Sequence, residues 1–162
     1  MNNSKPSPEA TYERARRLAN YWMWTISLQY RRIQSAEPED GNFVFRIWAD
    51  FDFLIVALIR LRRVVKLAAK IPEINPEITK ALGEFDSALP NLKTMRDVAE
   101  HIDDYAVDSG WKEDISRKML EVSKIKGTEL EWLNYKLDAR EALKSSEKLF
   151  KVLKENVPSG KK

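Results

Sequence analysis

The chain has 162 residues, enough for one domain with a sizeable core. Its 43% hydrophobic and 33% charged content, with 5 Gly and 7 Pro, excludes a disordered or fibrous chain and predicts a soluble globular one. The absence of cysteine excludes disulfides, thiolate metal sites and thiol nucleophiles and fits a reducing, cytoplasmic setting, while a net charge of +3 permits contact with nucleic acid without demanding it.

The opening MNNSKPSPEA lacks the apolar centre of a signal peptide. The most apolar run, FLIVALI, is bracketed by Asp52 and Arg60 and falls far short of the roughly 20 residues a membrane span needs, so no membrane association is expected. Ser7 before Pro8 and Glu9 has the form of an N-cap with proline at the first helical position. From there Ala15, Leu18, Ala19, Trp22, Ile26, Tyr30 and Ile33 recur at helical spacing, predicting a helix to about Ser35.

The segment AEPEDGN breaks that helix, and Asn42 is placed to cap a second one. Phe51, Leu54, Leu58, Leu61, Val65 and Ala68 form its apolar stripe, three and four residues apart. Phe53, Val56 and Ile59 fall on the opposite side, so the middle of this helix is apolar all round and predicts a central position or a subunit contact. Its end carries Arg60, Arg62, Arg63, Lys66 and Lys70. Pro72 terminates it, and Asn75 with Pro76 starts a short third helix to about Leu89. Pro90 begins a fourth, with Leu92, Met95, Ala99, Ile102 and Ala106 as its core stripe and Asp108, Ser109 and Gly110 as its stop.

Beyond this point MLEVSKI and ELEWLNYKL flank KGT and show partial alternation of apolar and polar residues, which predicts a β-hairpin. Asp138, followed three residues later by Glu141, is a capping-box arrangement that opens a final helix with Ala142, Leu143, Leu149, Phe150 and Leu153 inward. The expected fold is mainly α, an up-and-down helical bundle of about five helices with a small β-hairpin before the last helix. Residues 1–157 form a single helical-bundle domain on this reading, and 158–162 a flexible C-terminal tail.

The stretch MRDVAEHIDDY holds the only histidine, His101. On a helical wheel it lies off the core stripe, beside Asp97, Asp104 and Tyr105, with Arg96 at the far border of the same polar strip. Asp97 is placed to hydrogen-bond a ring nitrogen of His101, and Arg96 carries a permanent charge suited to a phosphate. A histidine and an arginine that both reach one phosphodiester suffice for metal-independent RNA cleavage, the first moving protons and the second stabilising developing charge. Attack by a 2'-hydroxyl calls for both a base and an acid, so one histidine per chain implies a homodimer with two copies of His101 near its axis.

Arg96-Asp97-Val98-Ala99-Glu100-His101 resembles the R-x4-6-H motif of HEPN domains, small and often dimeric helical bundles. Many of them are metal-independent ribonucleases of toxin-antitoxin and phage-defence systems. The resemblance implies Arg96 and His101 as catalytic residues, Asp97 as the supporting polar residue, no cofactor, an RNA substrate and a protein antitoxin or other partner. Because an acidic residue of another helix often joins such a site, Asp50 is a candidate for that role, with a structural salt bridge as the alternative; Asp104 and Tyr105 complete the supporting set.

Other readings account for the same residues. Asp97, His101 and Asp104 share a helix side and could ligate a divalent ion, although helical metal sites usually draw ligands from several helices. A catalytically inert helical module that binds a protein partner, through Trp111 and the hairpin, needs no chemistry at His101. The tryptophans are expected in the core as a set, Trp111 beside Gly110 being the exception.

Overall fold

The computed structural model describes residues 5–41 and 45–159. These residues are mainly helical, with seven α-helices among them and a small antiparallel sheet before the last. Helix α1 (Pro8–Gln34) begins at the expected cap, where the Ser7 hydroxyl accepts from the amide of Ala10 at 3.2 Å. Helix α2 (Phe45–Ala68) follows a single 3-10 turn and packs along α1 as its main neighbour. The Asn42 cap expected for it lies outside the described residues.

All six residues of the predicted α2 stripe are buried, but Ile59 joins them instead of facing outward. Phe53, 60% exposed, and Val56 keep the outward apolar side. Where the α1 and α2 ends meet, the buried Asp50 takes Arg32 on one carboxylate oxygen (2.7 Å) and Arg46 on the other (2.9 Å). Arg46 also donates to the carbonyls of Arg32 and Ser35, so one guanidinium closes the end of α1 and pins it to α2.

Helix α3 (Asn75–Ala88) starts as predicted, with Pro76 in its first turn. Helix α4 (Leu92–Glu100) is shorter than expected: the chain breaks at His101 (φ −122°, ψ 37°) and resumes as α5 (Ile102–Ala106). A straight helix would bury Ile102 and Ala106. The break turns both outward and swings Tyr105 into the core, so the buried set is Leu92, Met95, Val98 and Tyr105. A larger ring is buried in exchange for a smaller side chain, and its hydroxyl accepts from the amide of Lys112 at 3.3 Å. Gly110 lies flat against that ring: a Cβ there would come within 2.3 Å of it.

After the single turn of α6 (Arg117–Leu120), the predicted hairpin proves to be a three-stranded meander of β1 (Ser123–Lys126), β2 (Glu129–Trp132) and β3 (Tyr135–Asp138). Lys126 pairs with Glu129 across Gly127 and Thr128, and Gly127 supplies the positive φ of +60°. Trp132 pairs with Tyr135 across Leu133 and Asn134, both at positive φ (56° and 62°). Leucine seldom takes that conformation; here its buried side chain offsets the backbone cost.

Asp138 caps α7 (Ala139–Glu155) by accepting from the amide of Arg140 at 2.7 Å, and it also receives the Thr128 hydroxyl at 3.1 Å. The reciprocal half of the capping box is not made: Glu141 faces Lys144 at 3.9 Å. Ala142, Leu149 and Leu153 are buried, and Leu143 and Phe150 pack at the edge of the core. Beyond α7, Pro158 is buried, and residues 160–162 of the expected tail lie outside the described residues.

Candidate functional site

Helix α4 stands between two depressions. On one side the C-terminal half of α2, the end of α3 and the start of α4 enclose a cavity of about 530 Å³, lined by Arg62, Arg63, Lys66, Lys93 and Arg96 over an apolar floor that includes Ile59, Leu89 and Leu92. On the other side an apolar groove runs between Trp48, Ala99, Ile102, Leu120 and Trp132. In that groove the surrounding apolar groups push the carboxyl of Asp52 up from its ordinary value, although the side chain keeps contact with solvent.

Arg96 faces the basic cavity with its side chain only 15% exposed. One terminal nitrogen meets Asp97 at 2.8 Å, the other meets Glu100, and the buried Nε–H has no acceptor. The expected Asp97–His101 hydrogen bond is therefore replaced by an Asp97–Arg96 ion pair. The physical reason is that a guanidinium one residue away and partly buried offers the carboxylate a permanent charge.

His101 occupies the break between α4 and α5, with its side chain 47% exposed. Its Nδ1 lies 3.8 Å from Asp104, too far for a hydrogen bond, and its ring meets Trp111 edge-on at 4.6 Å. Between Arg96 and His101 in the chain stands Glu100, paired with Arg96. Its carboxyl is held below the ordinary value first by its hydrogen bond to Arg96, with the charges of Arg96, Arg63 and His101 adding to the effect. One carboxylate thus stands within the field of a histidine and two arginines.

The remaining candidates have structural occupations. Tyr105 is fully buried and carries the loop of Gly110 and Trp111 on its ring. Asp50 has both carboxylate oxygens engaged by Arg32 and Arg46, which is the salt-bridge alternative for it. Asp97, His101 and Asp104 do not gather as ligands, and among the described residues no three His, Cys, Asp or Glu side chains converge as a metal set. Trp111 is 54% exposed as expected, whereas Trp24 departs from the core assignment at 69%. With Tyr21 and Leu28 it forms an outward ridge on α1, because those positions lie three and four residues apart on the side away from α2.

Arg63 and Lys66, both in the basic end of α2, meet Lys93 in this cavity only through the fold, because Lys93 sits on α4. Among the described residues no helix is long and apolar enough to cross a membrane. Comparison with protein-family models, with curated proteins and with solved structures found no match.

Proposed function

We propose that the protein is a metal-independent endoribonuclease of HEPN type that works as a homodimer with a shared Arg96/His101 site, in a cytoplasmic toxin-antitoxin or phage-defence system with a protein antitoxin. The observation that supports this reading is that Arg96 lines the basic cavity near the end of α4, and His101, at the backbone break that follows, keeps its ring half exposed.

In this mechanism a backbone phosphate takes the place of Glu100 beside Arg96. Glu100 is the partner to yield, being 46% exposed where Asp97 is 15% exposed. Asp97 stays and fixes the guanidinium. His101 of one copy removes the proton from the 2'-hydroxyl, whose oxygen attacks phosphorus. The 5'-oxygen leaves with a proton from the second copy's His101, giving a 2',3'-cyclic phosphate and a free 5'-hydroxyl. Phe53 and Val56, apolar and exposed on α2, are available for the contact between copies.

One observation favours the inert protein-binding module as a second reading: both terminal nitrogens of Arg96 already have carboxylate partners, and the His101 ring rests on Trp111. Purified protein incubated with single-stranded RNA and EDTA separates the two. The nuclease cleaves, and His101→Ala abolishes cleavage with the circular dichroism spectrum unchanged; intact RNA across varied substrates leaves the module.

A further inference from the structure

The cavity between α2, the end of α3 and α4 concentrates positive charge that the fold does not consume. Among the described residues Asp86 is its only acidic lining residue, and it is taken by Arg62 through two parallel hydrogen bonds. That pairing fixes Arg62 as one wall. Arg63, Lys66 and Lys93 make no hydrogen bond or ion pair among the described residues, Arg63 having only the distant charge of Glu100. Converging cations repel one another, and the apolar floor of Ile59, Leu89 and Leu92 weakens the screening that water would provide. Arg96 closes the α4 wall of the cavity, its guanidinium held by Asp97 and Glu100.

We propose that this cavity is a binding site for closely spaced phosphate groups, either the backbone of a single-stranded nucleic acid or a free oligophosphate chain. The cations alternate between two facing helix surfaces, Arg63 and Lys66 one turn apart on α2, Lys93 and Arg96 on α4. Such an arrangement holds a chain of negative charges better than a single ion. Among the described residues no aromatic ring lines the cavity, so it grips phosphate without stacking on bases and is indifferent to sequence. This inference does not rest on cleavage: an inert module with the same cavity binds the same chemistry.

The test uses the full chain with His101→Ala, so that RNA is bound without being cut, and measures fluorescence anisotropy of a labelled oligouridylate in EDTA, with sodium tripolyphosphate as competitor. Binding is expected to weaken with salt, and Lys66→Glu and Lys93→Glu are each expected to weaken it at least about tenfold, because each replaces an attraction by a repulsion. Both lysines are exposed, so the fold tolerates the changes. Arg17→Glu, on the outer side of α1, is expected to leave binding within about twofold, as a sequence-indifferent field effect alone would not. Displacement by tripolyphosphate assigns the site to oligophosphate in general, and oligouridylate binding that tripolyphosphate does not disturb assigns it to the nucleic-acid backbone; both support the proposal. It is overturned if neither anion binds at low salt, or if binding survives both lysine reversals unchanged. Should binding hold while the unmodified protein cuts no RNA, the nuclease reading fails and the phosphate site stands.

Discussion

His101 sits where α4 gives way to α5, and that position sets what the side chain can do. Its ring caps neither helix, makes no hydrogen bond with the side chain of Asp97 or Asp104, and touches Trp111 edge-on. Truncation to alanine loses that contact, worth about 0.5–1.5 kcal/mol, so thermal unfolding of His101→Ala should shift only slightly while any cleavage is lost. A large drop in stability would instead assign the ring a structural role. Glu100→Gln removes the carboxylate that yields to phosphate in the proposed mechanism. Anisotropy titrations should show tighter RNA binding for this variant at pH 7, and weaker binding would mean that Glu100 orders Arg96 instead of masking it. Gly110→Ala sets a methyl group against the buried ring of Tyr105. Overpacking of this kind costs about 1–3 kcal/mol, measurable by urea denaturation, and an unchanged midpoint would show that the Gly110 loop moves freely.

Among the elements, the join of α1 and α2 depends on one acid and two arginines. Asp50→Asn leaves Arg46 and Arg32 without their shared charge. Because the Arg32 side chain is 43% exposed and can hydrate, the loss should fall at the low end of the roughly 3–5 kcal/mol typical of a broken buried pair, read from chemical denaturation. Arg46 also holds the carboxyl of Asp40 down to about 2 from an ordinary 3.8. A depressed carboxyl contributes stability that is fully present above the ordinary value and is lost as pH falls towards 2, so Arg46→Met should flatten the acid limb of the stability profile in that window. The α1 start, the α2 stripe and the cap of α7 were legible because each rests on local rules: Ser7 with Pro8, apolar spacing, and Asp138. The break at His101 was not, since it arises from the tertiary demand to bury Tyr105, and the second turn of the sheet was hidden because Leu133 stands where glycine or asparagine would signal it. At the candidate site the pairing of Arg96 with Asp97 was missed for a related reason. A wheel ranks residues by angle alone, whereas adjacent long and short side chains can fold back on one another.

At the scale of the molecule, α4 divides a basic cavity from an apolar groove, and His101 follows directly at its end. The exposed Phe53 and Val56 on α2, and Tyr21, Trp24 and Leu28 on α1, leave apolar surface that a lone copy does not cover. Sedimentation of the purified chain at micromolar concentration should therefore give a dimer, and Phe53→Glu with Val56→Glu a monomer. A wild-type monomer at every concentration would remove the second histidine that the mechanism needs. The most direct measurement mixes two inactive variants: Arg96→Ala and His101→Ala are assayed on single-stranded RNA in EDTA, alone and after co-refolding. A shared site predicts that neither cuts alone and that neither does the mixture, because each mixed dimer lacks one histidine and one arginine, while the unmodified protein cuts and yields 2',3'-cyclic phosphate ends. Cleavage by His101→Ala alone or by the mixture, or none by the unmodified protein, would contradict the account.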